Sequence, residues 1–176
     1  MTSVFMNIWY ISKYAITTKE GFPSRQFMLS KQMAKKGHDI SLFYSRSNGK
    51  KADPFWGCSR RQRLEGVNCY QLNGPLISYG LSMKRILSWI IFEWNLFVLL
   101  LLPNKLKRPD YIIVSSLSLL TFVIGVWLKR KYKTKLILEI RDIWPATIVE
   151  SGRFTENNIF VRILKKVELL GYDNAD

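Results

Sequence analysis

The chain has 176 residues, of which 48% are hydrophobic, and a formal net charge of +14 at pH 7. A chain of this length and apolar content can bury one sizeable core, so we expect a single domain over residues 1–176. Two cysteines (Cys58 and Cys69) and one histidine (His38) are too few for a closed zinc site, which excludes a metal finger, and the charge predicts attraction to nucleic acid, anionic lipid or phosphorylated substrates.

The first residues lack the features of a secretory signal peptide. No basic segment precedes the first apolar run, and Asn7, Ser12 and Lys13 interrupt that run. We therefore expect a cytoplasmic protein with both cysteines reduced.

Apolar runs of strand length alternate with runs of helix length, which is typical of repeated βαβ units. Strands are predicted over residues 4–11, 39–44, 67–72, 110–114 and 135–140. We expect an α/β fold, a Rossmann-like parallel sheet with helices on both faces. The first helix is predicted over 24–36 with Gly37 as its C-cap, which makes His38 a turn residue rather than a catalyst.

Residues 45–66 are polar, basic and rich in turn formers, which predicts a long mobile loop. Phe55 and Trp56 interrupt this loop and either pin it to the body or stack on a base or sugar. Cys58 has no partner at metal-ligand spacing, and we assign it no role.

The segment 86–102 is almost wholly apolar. As a helix it reaches about 25 Å against about 30 Å of hydrocarbon, and Glu93 at mid-length disfavours a membrane span. We expect the helix to lie on a membrane surface; the alternative is a helix buried against the sheet. The predicted membrane contacts are Trp89, Phe92, Trp94, Lys105, Lys107 and Arg108.

A crossover helix is predicted over 117–128, directly after a strand. Ser115 and Ser116 stand at that strand end, where hydroxyls either cap the helix or meet an anion or a sugar hydroxyl. Basic residues at the helix end suit its dipole.

The segment 136–145 runs from a buried strand into a charged loop. Glu139, Arg141 and Asp142 fall at or past the strand's carboxyl end, where ligands bind in open parallel sheets. The alternative is an Arg141–Asp142 ion pair that holds the loop. Pro145 predicts a turn or a helix start, and Trp144 either walls the crevice or packs beneath it.

Several enzyme motifs are absent from the sequence. The loop 12–24 contains only Gly21, which excludes the three-glycine dinucleotide fingerprint, and the phosphate-binding P-loop and the serine-hydrolase elbow are also missing. We expect no cofactor and no metal. A nucleic-acid partner is not expected either, because the basic clusters are scattered and carry no recognised motif.

Two stretches of the sequence resemble a known family. The first is the helix Arg25-Gln-Phe-Met-Leu-Ser-Lys-Gln-Met-Ala-Lys-Lys-Gly-His with its flanking strands. The second is Leu138-Glu-Ile-Arg-Asp-Ile-Trp-Pro145, followed by a helix from Val167 and by Ala175-Asp176 at the start of a next strand. Both are similar to the amino-terminal half of the family-four glycosyltransferases. That family has the GT-B fold, with two Rossmann-like domains, and moves a sugar from a nucleotide-sugar donor to an acceptor. The acceptor is often a polyprenyl-linked glycan in surface polysaccharide synthesis at the cytoplasmic membrane face.

The resemblance implies roles for particular residues. Gly21 would let the first loop approach the donor diphosphate, Arg25 would support that loop or meet phosphate, and Arg141 and Asp142 would line the acceptor side. Ser115 and Ser116 are acceptor-binding candidates from their position at a strand end, where some members of the family have a histidine. No residue is assigned as nucleophile or general base.

The resemblance also implies partners and a location. The apolar helix would dock a lipid-linked acceptor at the anionic inner face of the cell membrane. The family's donor-binding domain has no counterpart within these residues, so we expect no transfer by this polypeptide alone. The alternative function is a non-catalytic module that binds membrane surfaces or polyanions.

Overall fold

A computed structural model describes residues 5–45, 58–74, 83–101, 106–116, 118–150, 152 and 154–176. In chain order the strands are β1 (Asn7–Ile11), β2 (Asp39–Ser45), β3 (Cys58–Leu64), β4 (Val67–Leu72), β5 (Tyr111–Ser115) and β6 (Lys135–Glu139). The helices are α1 (Arg25–Lys35), α2 (Met83–Leu101), α3 (Leu120–Tyr132), α4 (Ala146–Glu150) and α5 (Ile159–Asn174). The predicted α/β, Rossmann-like architecture is confirmed.

The strands form one sheet in the order β3-β4-β2-β1-β5-β6. Every neighbouring pair is parallel except β3 and β4, which are antiparallel. The chain builds outward from β1 through β2 on one side and through β5 on the other, so the direction of winding reverses between β1 and β5. Ligands of open α/β sheets bind outside the carboxyl ends of the strands at such a reversal.

Helices cover both faces of the sheet. Successive strand residues point to opposite sides, so both faces carry apolar side chains that must be covered. Tyr10 joins the core on the α1 side with Phe27, and Trp9 joins the larger core with Phe92 and Phe122 on the side of α2, α3 and α5. The approach of α5 to α3 requires Gly171, since a Cβ atom there would collide with the Phe122 ring.

Part of the predicted loop 45–66 is a strand. Cys58–Leu64 forms β3, which pairs with β4 through a turn at Glu65 (φ 48°) and Gly66 (φ 87°), the left-handed geometry of a tight hairpin. The sequence did not predict this strand, because Arg60, Arg61, Gln62 and Arg63 replace the usual alternation of apolar and polar residues. Charged residues on an edge strand discourage pairing with other chains. Phe55 and Trp56 lie outside the described residues.

The apolar helix α2 is buried along one face and exposed along the other. Trp89 and Phe92 are 1% and 0% exposed, so the prediction that they contact a membrane is wrong for both. Trp94 is 53% exposed, and none of the helices in the described ranges is long and apolar enough to cross a membrane. The helix needs no lipid to bury Trp89, because Tyr14 and Trp144, from the loops after β1 and β6, contact its ring.

The basic residues after α2 have separate positions. Lys107 is exposed with its Nζ 3.4 Å from Asp39 Oδ2, and the exposed Arg108 donates to the Lys133 carbonyl at 3.4 Å. Both therefore lie at the amino edge of the sheet, beside the starts of β2 and β6. Lys105 lies outside the described residues.

Candidate functional site

The carboxyl edge of the sheet carries two exposed charged residues in the loop after β6. Arg141 and Asp142 are both exposed, and the ion pairs of the described residues do not join one to the other. Their backbone amides are fixed instead, because Arg141 N and Asp142 N donate to Ser116 Oγ at 2.7 and 3.3 Å. The two side chains thus face solvent from a loop whose backbone is anchored to β5.

Ser115 and Ser116 lie at the end of β5, but neither reaches the surface. They are 2% and 1% exposed, which contradicts the prediction that they bind an acceptor. Ser116 is a loop anchor: its N–H donates to the Glu139 carbonyl at 2.9 Å, and its Oγ accepts from the loop after β6. Among the described residues Ser115 Oγ has no hydrogen-bond partner.

Glu139, the last residue of β6, connects three elements on the α1 side of the sheet. Its Oε2 accepts from Tyr10 Oη at 2.7 Å and from Gln26 Nε2 at 3.4 Å. Its Oε1 lies 3.6 Å from Arg25 Nε, whose side chain remains 66% exposed. Burial and the bond to Glu139 raise the pKa of Tyr10, which keeps the phenol protonated as the donor. The Glu139 carboxylate, at the carboxyl end of β6, therefore pairs with an arginine that is still open to solvent.

The loop between β1 and α1 is ordered by its own polar contacts. Thr17 N and Oγ1 donate to Glu20 Oε2 at 3.0 and 3.1 Å, and Ile16 N donates to Ser24 Oγ, the α1 N-cap, at 3.1 Å. Gly21 is exposed with a φ of 143°, and open space surrounds the position of a Cβ. Backbone conformation rather than crowding therefore requires glycine there, and its approach to a diphosphate stays a prediction.

A second buried polar cluster lies between β1, α2 and α3, and the sequence interpretation missed it. Lys13 is 1% exposed and Glu93 is 8% exposed. Glu93 Oε1 accepts from Thr121 Oγ1 at 2.6 Å and from Ser118 Oγ at 3.4 Å. Two features of the sequence could have indicated it: a lysine two residues after an apolar strand and a glutamate inside an apolar helix.

Burial shifts both charged groups of this cluster toward their neutral forms. It raises the pKa of Glu93 to about 8, although the Thr121 and Ser118 hydroxyls and Lys13 oppose the shift. It lowers the pKa of Lys13 to about 7, although Glu93 opposes that shift. Glu93 is then mainly a neutral acid at pH 7.

Trp144 packs beneath the crevice rather than forming an open wall. Its ring meets Trp89 edge-on at 5.5 Å, and Trp89 Nε1 donates to Tyr14 Oη at 2.7 Å. Tyr14 follows β1 and Trp144 follows β6, so these contacts bring the amino-terminal half of α2 to the carboxyl edge. Pro145 precedes the short helix α4, as its position predicts.

The described side chains suit noncovalent binding of a ligand with hydroxyl and anionic groups. The guanidinium groups of Arg25 and Arg141 are exposed, and such groups can pair with phosphates; the exposed Asp142 carboxylate can accept hydrogen bonds from hydroxyls. No three His, Cys, Asp or Glu side chains within the described ranges come together as a metal site. Neither a protein-family model nor a curated protein matches this sequence.

Proposed function

We propose that this chain is the acceptor-side domain of a nucleotide-sugar-dependent glycosyltransferase of surface polysaccharide synthesis, acting on a lipid-linked glycan. The Glu-x-Arg-Asp-x-Trp-Pro resemblance over residues 139–145 motivates the proposal. The observation that carries it is the exposure of Arg141 and Asp142 at the carboxyl edge of the sheet, on a loop after β6 that is anchored to the end of β5, the strand at which the winding reverses.

The residues of the crevice divide into two groups under this proposal. Asp142 and Arg141 bind acceptor hydroxyls, because a carboxylate accepts and a guanidinium donates hydrogen bonds to them. Arg25 and Gly21, on the loop after β1 and the start of α1, face the donor diphosphate that a second domain holds. Glu139 is a positioning residue that holds Arg25 through its carboxylate.

Glycan recognition tests the acceptor side directly, with an array of bacterial surface oligosaccharides as the probe. We expect the chain to be retained on a subset of glycans, and Arg141→Gln to reduce that signal at least about tenfold, as for a charged hydrogen bond to a ligand. Arg130→Gln is the matched control, since it removes the same charge from an exposed arginine. Arg130 lies in the last turn of α3 and donates to Asn174 at the end of α5.

The outcome of the array experiment decides the acceptor-binding role of Arg141. Absence of retention on every glycan, or an equal loss in the two arginine variants, would reject the acceptor-binding role. Retention that depends on Arg141 and resists Arg130→Gln would support it.

A non-catalytic membrane-surface module is the second candidate, and one observation favours it. Leu87, Ile90 and Trp94, which are 49%, 52% and 53% exposed, form an apolar stripe on α2 beside the exposed Lys84. Such a stripe with flanking cations suits an anionic bilayer surface.

Vesicle sedimentation tests this membrane role. With phosphatidylglycerol vesicles we expect Ile90→Glu to abolish binding, while Ile163→Glu, at a 50% exposed position on α5, keeps it. Vesicle binding without any glycan retention would favour the membrane-surface module over the enzyme. Equal effects of the two variants on vesicle binding would show that the stripe does not contact the membrane.

A further inference from the structure

A polar cleft opens at the amino edge of the sheet, at the opposite end of β5 and β6 from Arg141. It lies between the segment that enters β5 and the turn that joins α3 to β6, and its volume is about 430 Å³. Small-molecule pockets occupy about 300–1,000 Å³, so this amino-edge cleft can hold a small ligand. Its lining consists of three cations, one carboxylate, a proline and a threonine: Arg108, Lys133, Lys135, Asp110, Pro109 and Thr134.

Hydrogen bonds join the two walls of the cleft. Asn7 Nδ2 donates to the Arg108 carbonyl at 3.3 Å, and Asp110 N donates to the Asn7 carbonyl at 2.8 Å. Across the cleft, Thr134 Oγ1 donates to the Asp110 carbonyl at 2.5 Å. Arg108 Nη2 donates to the Lys133 carbonyl at 3.4 Å, which brings the guanidinium of one wall against the backbone of the other. The cations therefore line a preformed space.

The acidic residues of this corner have partners of their own. Asp110 Oδ2 accepts from Asn7 N at 2.7 Å, and Asp176 Oδ2 lies 2.7 Å from Lys129 Nζ. The pKa of Asp176 is lowered first by its bond to Lys129 and more weakly by the charge of Lys135. The ion pairs between described residues include none of the cations that line the cleft, and all three are exposed. Three cations against one carboxylate predict an anionic ligand.

Lys133 occupies a backbone position at which glycine is usual. It is the C-cap of α3 and has left-handed φ and ψ angles of 48° and 53°. The turn after α1 uses Gly37 instead, with a φ of 94°. A β-carbon disfavours this conformation, so a lysine there costs stability that a glycine would not. An unfavourable residue in the lining of a cleft is the pattern expected where ligand binding, rather than stability, requires its side chain.

The chemistry of the lining suits phosphate groups. The Arg108 guanidinium presents a planar set of N–H donors that matches two phosphate oxygens, and the lysine ammonium groups add compact charges. Three cations match a ligand with several negative charges better than they match a single phosphate group. Pro109 is the one apolar residue of this lining, so a hydrocarbon chain would bury little surface there.

We propose that the amino-edge cleft binds a water-soluble oligophosphate anion, held by Arg108, Lys133 and Lys135. The five residues of β5 separate the cleft from the carboxyl edge by about 17 Å, so this site is distinct from the crevice of the proposed function. The proposal does not rest on that function, and either can fail without the other.

Isothermal titration calorimetry with inorganic triphosphate at physiological ionic strength tests the proposal, because salt screens weak attraction between distant surface charges. We expect one molecule to bind saturably, and orthophosphate to bind at least about tenfold more weakly because it carries fewer charges. Absence of saturable triphosphate binding would reject the cleft.

Variants of the lining locate the anion. Arg108→Gln should weaken triphosphate binding about tenfold and Lys135→Gln about threefold, because a charged hydrogen bond contributes more than an exposed ion pair. Arg162→Gln is the matched control, since it removes an exposed cation from the first turn of α5. An equal loss in Arg108→Gln and Arg162→Gln would overturn the proposal, because net charge alone would then explain binding.

Lys133→Gly gives the sharpest test, because its two expected effects have opposite signs. Glycine should raise the denaturation midpoint by relieving the left-handed backbone, and the loss of the cation should weaken triphosphate binding about threefold. Circular dichroism during denaturation and calorimetry measure the two effects. A folded Lys133→Gly protein that binds triphosphate as tightly as the parent does would overturn the proposal.

Phosphatidylglycerol vesicles distinguish a free oligophosphate from a lipid headgroup. We expect Arg108→Gln and Lys133→Gly to leave vesicle sedimentation unchanged. Vesicle binding that both variants abolish, without triphosphate binding by the parent, would assign the cleft to a headgroup and reject the soluble ligand. Triphosphate binding that the variants weaken, without glycan retention, would support the cleft and reject only the acceptor role of Arg141.

Discussion

Two carboxyl groups of this domain stand close to the same edge of the sheet in opposite surroundings. Glu139 meets a phenol, an amide and a guanidinium from β1 and α1, and its side chain is 11% exposed. Glu93 meets two hydroxyls near the start of α3 and lies under an apolar groove. The comparison teaches that partners and burial can act against each other: Glu139 pairs with an arginine, whereas burial holds Glu93 as a neutral acid although its hydroxyl partners favour the carboxylate.

The pH dependence of stability should show the largest effect, because it reports Glu93 directly. Its pKa rises from 4.5 to about 8 in the folded state, so the folded chain keeps a proton that the unfolded chain releases. Its contribution to the free energy of unfolding is fully present below about pH 4.5 and is lost as the pH rises through about 8. Between pH 5 and 7 the loss should be about 2 kcal/mol relative to Glu93→Gln.

Denaturant unfolding of the parent and Glu93→Gln across this range measures the difference. Lys13 has the opposite sign, since its lowered pKa of about 7 makes stability rise with pH between about 7 and 10.5. Restricting the comparison to pH 5–7 therefore isolates most of the Glu93 effect. Parallel stability curves for the two proteins would contradict the neutral form of Glu93.

Removing each carboxyl in turn sharpens the comparison at fixed pH. Glu139→Met should destabilise the chain by about 2 kcal/mol, because it leaves the Tyr10 hydroxyl and the Gln26 amide without their acceptor. Glu93→Met should cost less than about 1 kcal/mol, since an apolar side chain there removes a desolvated carboxyl as well as its bonds. Chemical denaturation at pH 7 gives both values, and a larger loss for Glu93→Met would reverse the assignment.

A smaller effect than that of Glu139→Met is expected at Ser116, the loop anchor beside Glu139. Ser116→Ala should cost about 1 kcal/mol, because the Arg141 and Asp142 amides lose a shared acceptor. Ser115→Ala, at a neighbouring buried hydroxyl without a described partner, is the control and should change stability less. Hydrogen exchange at the Arg141 amide reads the loop itself, and unchanged protection in Ser116→Ala would show that other contacts hold it.

Much of the fold could be predicted because local patterns carried it. The parallel strands β1, β2, β4, β5 and β6 were all expected, as was α1 with its Gly37 stop. The edge strand β3 was missed because its arginines hide the alternation. Helix α2 was located correctly, but its apolar residues alone could not show which of them the sheet and α3 would cover.

The candidate site was predictable only in part. Arg141 and Asp142 were expected at the carboxyl edge of the sheet, because a loop that follows a parallel strand must emerge there, and both are exposed. Ser115 and Ser116 occupied the same kind of position and were expected to bind, yet they are buried. A serine hydroxyl at a strand end can bind a ligand or can accept from a neighbouring backbone amide. The sequence alone does not show which of these two contacts it makes.

The sequence by itself determined the succession of strands and helices, the basic charge and the open charged loop after β6, because each depends on neighbouring residues. Only the tertiary structure decided that Tyr10 and Glu139, 129 residues apart, share a hydrogen bond and that Glu93 lies beneath a groove rather than in lipid. The physical reason is that such contacts depend on sheet order and helix packing, which bring distant residues together without leaving a local pattern.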